Sequence, residues 1–140
     1  MMKRVYVGFS AIIILLVVSA VGIAADDKKV AAEQAAMQWL SLVDSEQYDE
    51  SWEEASSRFQ NQISSSDWAK ALTAARKPFG SLVNRELVSA THTTSLPGAP
   101  DGDYVVLHFQ TDFESTSQAV ETITPMLEEG QWKVSGYYIK

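Results

Sequence analysis

The chain has 140 residues, 46% of them hydrophobic and 21% charged, no cysteine, and a formal net charge of −7. That length holds one domain with at most a short appended segment, and the composition excludes a disordered, collagen-like or disulfide-stapled chain. The acidic balance excludes a nucleic-acid binder, which needs a basic face to displace counterions; the missing cysteines exclude thiol nucleophiles, thiolate metal sites and lipoprotein acylation.

Residues 1–25 read as a leader. Lys3 and Arg4 precede an apolar stretch from Val5 to Val21, interrupted by Gly8, Ser10 and Ser19. Small residues then follow in Gly22-Ile23-Ala24-Ala25, before Asp26-Asp27 restores polarity. A basic start, an apolar middle and a small-residue end form a secretory signal peptide. The alternative is an uncleaved N-terminal membrane anchor, since the apolar stretch is nearly long enough to span a bilayer. Both keep the positive charges in the cytoplasm and send residues 26–140 across. The expected location is therefore periplasmic or secreted, with tethering to the inner membrane if the leader is retained.

Three helices are expected next. From Lys28 to Asp44 the apolar positions Ala32, Ala35, Ala36, Trp39, Leu40 and Val43 recur at helical spacing without a proline. Tyr48, Trp52, Ala55 and Phe59 continue that spacing in a second helix, with Asp49, Glu50, Glu53 and Glu54 on its other side. The acidic series from Asp44 to Glu54 reads as a solvated face, because it lacks the spacing of a calcium loop. Ser64-Ser65-Ser66-Asp67 caps a third helix whose stripe is Trp68, Leu72, Ala75 and Phe79, and Pro78 with Gly80 ends it. Trp39, Trp52 and Trp68 fall on these stripes and read as core; Trp132 lies at the start of a strand and reads as partly exposed.

The period changes after Gly80. Leu82–Leu96 is rich in valine and threonine, and Asp103–Phe113 alternates, with Val105, Leu107, Phe109, Thr111 and Phe113 on one face. Pro97-Gly98-Ala99-Pro100-Asp101-Gly102 is turn chemistry, so the two segments form a hairpin. A third strand runs from Gln118 to Leu127 and a fourth from Gln131 to Ile139, joined through Glu128-Glu129-Gly130. Pro125 places the third strand at an edge or gives it a bulge, and Gly136 implies a bend or a close backbone approach in the fourth. The expected fold class is α+β: three N-terminal helices packed on a curved four-stranded antiparallel sheet.

The hairpin run Thr93–Val106 and the closing runs Glu121–Leu127 and Gly130–Ile139, with Trp39-Leu40, Tyr48, Trp52 and Trp68, resemble the DUF4019 family over nearly all of residues 26–140. That resemblance implies a small bacterial exported domain of uncharacterised function. The order of helices and sheet is similar to the NTF2-like, cone-shaped α+β superfold, which hosts isomerases, dehydratases and non-catalytic domains alike. The same likeness implies a homodimer paired through the open sheet face.

Candidate chemistry is sparse. With a turn centred near Pro100, His92 and His108 lie opposite each other and share a face with Asp112, a weak metal-ligand set that a one-residue register shift breaks. An acid–base pair in an apolar cone would draw its base from Asp112, Glu121 or Glu86, or from His92, and its donor from Tyr104, Tyr137 or Tyr138. Tyr104, His108 and Tyr137 are the candidate ligand-binding residues. No cofactor is implied, because no phosphate-binding glycine loop, dinucleotide fingerprint, H-E-x-x-H or G-x-S-x-G motif is present. The leading expectation is a non-catalytic module that binds a small apolar ligand or a protein partner. The alternative is a small-molecule lyase, isomerase or hydrolase with an acid–base pair between helices and sheet.

Overall fold

A computed structural model describes the backbone of residues 20–140 and the side chains from residue 24 onward. Most of the leader, residues 1–19, lies outside the described residues. Four helices are followed by four strands: α1 (Ala20–Asp44), α2 (Tyr48–Glu54), α3 (Ser57–Gln62), α4 (Ser65–Arg76), β1 (Leu82–Thr93), β2 (Tyr104–Phe113), β3 (Ala119–Glu128) and β4 (Gln131–Ile139). The sheet is an antiparallel meander in the order β1-β2-β3-β4. Helices segregated to one face of an antiparallel sheet make this an α+β domain, consistent with the NTF2-like arrangement. No helix among the described residues is long and apolar enough to cross a membrane.

The helix α1 buries Ala32, Ala36, Trp39, Leu40 and Val43, the stripe its spacing predicts. Its described part, from Ala20, runs through the boundary at residue 25. Glu46, at φ 60°, takes the left-handed position after its end, and Gln47 N–H returns to the Leu42 carbonyl at 2.8 Å.

The expected second helix is in fact two. Ala55 is extended, and Ser56 N–H donates to the Val134 carbonyl of β4 at 2.9 Å. The Ser56 hydroxyl then caps α3 by accepting from Phe59 N–H at 3.1 Å. A single helix would have denied Val134 this bond, so the break docks the helical layer onto the sheet. Phe59, now in α3, is still buried in the core.

Two indoles, a phenylalanine and a tyrosine fill the helix–sheet junction. Trp39 and Trp68 lie 6.0 Å apart, Phe59 meets Trp68 edge-on at 4.8 Å, and Tyr137 stands 5.6 Å from Trp39. Their N–H groups are not wasted: Trp39 Nε1 donates to the Ser51 carbonyl and Trp68 Nε1 to the Ser51 hydroxyl, at 2.8 and 2.9 Å. The buried Ser51 thereby ties α1 to α4 through α2.

Val105, Leu107, Phe109, Thr111 and Phe113 are all buried, as their alternation predicts. Pro125 lies in an interior strand, and the ladder shifts register between Ile123 and Pro125, so the proline sits at a bulge and not at an edge. A Cβ on Gly136 would stand 3.9 Å from Thr124 Cβ, an ordinary contact. The β3–β4 hairpin turns on Glu129 and Gly130, both with positive φ (51° and 78°), the geometry of a two-residue primed turn. Edge strand β1 carries two further irregularities, at Leu82/Asn84 and Leu87/Ser89, and leaves Val83 and Val88 exposed.

Removing the Ser56 hydroxyl should loosen α3 at its attachment to β4. The Ser56→Ala variant is expected to lose about 1–2 kcal/mol in urea unfolding followed by far-ultraviolet circular dichroism; an unchanged midpoint would show that the cap contributes nothing.

Candidate functional site

On the core face of the sheet, charged residues interrupt an otherwise apolar surface. Arg85 of β1 pairs in register with Thr111 of β2. Glu121 of β3 lies diagonal to Thr111, and Tyr137 of β4 lies diagonal to Glu121. Strand alternation alone therefore directs all four side chains into the space under α1 and α4.

They form one hydrogen-bonded cluster. Arg85 Nε donates to Glu121 Oε1 at 2.7 Å, and its Nη1 and Nη2 donate to Asp44 Oδ2 and Oδ1 at 2.8 and 2.9 Å. Thr111 Oγ1 donates to Glu121 Oε1 at 2.6 Å, and the Tyr137 hydroxyl donates to Glu121 Oε2. Arg76, in the last turn of α4, adds a bond from Nη2 to Asp44 Oδ1 at 2.9 Å and stacks its guanidinium 4.8 Å above the Phe113 ring. The Arg85 side chain is 3% exposed and Glu121 is fully enclosed. The four charges balance as two cations and two anions, the condition under which such groups can be buried.

Burial pulls against the charged state of Asp44, but the hydrogen bonds and charges of Arg85 and Arg76 outweigh it and hold its carboxyl below the ordinary value. Burial likewise disfavours the Arg85 cation, yet the bonds to Asp44 and Glu121 push its pKa further up. Burial, joined by the charge of Glu121 and the bond to it, raises the Tyr137 hydroxyl well above its usual range. Tyr137 is thus a neutral donor, and Glu121 has both oxygens engaged. Arg76 is less well served: its Nε and Nη1 are buried without a hydrogen-bond partner.

The sequence-based candidates scatter. His92 pairs with Val105 and faces the helices, whereas His108 pairs with Ser89 on the outer sheet face. The hairpin register therefore puts the two histidines on opposite sides of the sheet, and the set His92, His108 and Asp112 does not assemble. Among the described residues no group of three His, Cys, Asp or Glu side chains is placed to hold a metal ion. His92 Nε2 lies 2.7 Å from Asp103 Oδ1, to which Lys28 Nζ also donates at 2.9 Å, so this histidine helps fasten α1 to the hairpin. His108 Nδ1 meets Ser89 Oγ at 3.0 Å, and Asp112 Oδ1 accepts from Gln118 N–H at 2.8 Å. Tyr104 is buried and donates to the Pro100 carbonyl at 2.7 Å, while Tyr138 and Glu86 are exposed. Only Glu121 and Tyr137 come together.

Asp44, Arg76 and Arg85 escape sequence reasoning. Asp44, read as part of a solvated acidic face, is only 16% exposed at its side chain. Arg76 occupies the spacing of the buried α4 stripe, four residues past Leu72, where Ala75 was expected. That position is the one available signal.

The surface has its own feature. A groove of about 670 Å³ runs between α1, α2 and the start of β4. Trp39, Leu42, Trp132 and Val134 line its floor; Glu50, Glu53 and Glu54 of α2 form one wall, with Gln38, Gln131 and Lys133 across from them. It opens to solvent, and neither Glu121 nor Tyr137 lines it.

A helices-on-meander α+β domain with an enclosed charge network and an open groove is the class that fold and site define. Residues 35–137 match the family described as "Protein of unknown function (DUF4019)", and the chain belongs to that family. No curated protein and no solved structure matches it.

Removing one partner from the network strands the others. Glu121→Gln and Arg85→Met are each expected to cost about 3–5 kcal/mol in urea unfolding. Arg76→Met should cost clearly less, since two of its N–H groups already lack partners and Asp44 keeps Arg85. A larger loss from Arg76→Met than from Arg85→Met would contradict this assignment. In acid, the depressed Asp44 pKa contributes stability that is present above the ordinary carboxylate value of 3.8 and is lost as pH falls through the lower folded value. Thermal unfolding from pH 7 to pH 2 should show that late loss, and Asp44→Asn should flatten it.

Proposed function

We propose that this protein is a non-catalytic binding module that works outside the cytoplasm and uses the groove between α1, α2 and β4 as its contact surface. One observation carries the reading. The only candidate acid–base pair that comes together, Glu121 and Tyr137, is bound up with Arg85 and Thr111 inside the protein, while the groove over Trp132 stands open. A lyase, isomerase or hydrolase would need Glu121 or Tyr137 within reach of a substrate. Here each is held by the other, and Tyr137 resists ionisation.

The groove has the volume of a ligand site, about 300–1,000 Å³ in general, and combines apolar floor with a few polar groups. The basic start and apolar stretch of residues 1–25 support export, and a retained leader would hold the module at the inner membrane.

Thermal unfolding of the purified protein against divalent metals, sterols, fatty acids, sugars and short peptides tests the reading. A ligand of the native state at one hundred times its Kd adds about 2.7 kcal/mol, enough to raise Tm by several degrees. Trp132→Ala should remove the rise. A rise that survives Trp132→Ala, or substrate turnover that disappears in a folded Glu121→Gln variant, would overturn the proposal.

A further inference from the structure

We infer that the groove receives a basic amphipathic segment of another protein, a short stretch in which apolar side chains alternate with lysine or arginine. The inference rests on the binding-module reading and names the class of partner.

Shape comes first. The groove is a trough open along one side and not an enclosed chamber. A small apolar molecule gains most where it is surrounded, whereas a trough leaves one flank of its occupant in water, which suits a chain with one apolar and one polar side. Trp132 lines the groove half-buried, together with Leu42 and the buried Trp39 and Val134. An aromatic floor of this kind anchors apolar side chains strongly.

Charge then selects among chains. Glu50, Glu53 and Glu54 lie at i, i+3 and i+4 on α2, so they share one helical face, and all three are exposed. None of the three takes part in a salt bridge among the described residues, in contrast to Asp44, Asp103 and Glu121. Among the described residues Lys133 is the one cation lining the groove. The wall therefore presents uncompensated negative potential next to an apolar floor. The whole chain, at −7, adds a field that attracts cationic partners and repels anionic lipid surfaces and further copies of itself.

Four short synthetic peptides provide the probes: leucine alternating with lysine, leucine with glutamate, leucine with serine, and serine with lysine. Binding is followed by fluorescence anisotropy on the full-length protein. The leucine–lysine peptide is expected to bind, and the other three to bind at least about tenfold more weakly. Reversing the wall with Glu50→Lys, Glu53→Lys and Glu54→Lys should weaken binding about tenfold and remove most of its salt dependence. An equal change in charge placed elsewhere, Glu86→Lys, Asp101→Lys and Glu114→Lys, should leave affinity within about twofold. Both variants alter exposed side chains, and circular dichroism checks that each is folded.

Equal losses from the two triple variants would reduce the effect to general attraction by an acidic protein and overturn the inference. So would failure of the leucine–lysine peptide to bind, or equal binding of the leucine–glutamate peptide. In those last two cases a Tm rise with a small molecule, still sensitive to Trp132→Ala, would leave the binding-module reading standing and place the error in the partner class.

Discussion

Arg85 is the residue around which the domain is organised. Its guanidinium reaches β3 through Glu121 and the end of α1 through Asp44, while Asp44 recruits Arg76 from the end of α4. Tyr137 and Thr111 complete the shell from β4 and β2. Every strand and two of the helices therefore converge on one set of charges. In such a cluster the attraction between ions competes with the cost of removing them from water, so net stability gained is small. What the cluster imposes is arrangement. A slip of one residue along β1 would turn Arg85 to solvent, strip Glu121 of its cation and leave Asp44 with Arg76 alone.

The same cluster fills the place where a cone-shaped α+β fold would be expected to hold a site. Aromatic side chains and a closed polar network occupy the space between helices and sheet. Access is left to the outside, at the groove lined by α1, α2 and β4. The break between α2 and α3 contributes to this, because Ser56 must approach Val134 for its hydrogen bond and the chain beyond Glu54 turns toward the sheet. The groove is thus a by-product of how the helical layer is fastened.

Much of this fold is legible in the sequence. The stripes Ala32–Val43 and Trp68–Leu72, and the alternation from Val105 to Phe113, each state a period and a buried face, and the structure uses both. The break at Ala55-Ser56 is not legible, because helical spacing continues across it and only the distant Val134 carbonyl supplies the reason to interrupt it. The register of the first hairpin is also beyond reach: the long turn-rich loop admits several pairings, and the one adopted sends His92 inward and His108 outward. The site residues divide along the same line. Glu121 and Tyr137 could be named from strand position and chemical type, but their partners could not. Arg85 and Arg76 look like ordinary surface cations until the register and the α4 stripe show which way they point.

One feature of the sheet bears on how the chain survives before it is fully folded. Strand β1 is long, lies at an edge and carries exposed valines, all of which invite another molecule to add itself as a neighbouring strand. Its two register shifts interrupt the even spacing of donors and acceptors that such an addition requires. Arg85 and Glu86 then set opposite charges side by side in its middle, which a stack of identical strands would have to place like upon like. The irregularities of that border thus make it a poor seed for fibrils.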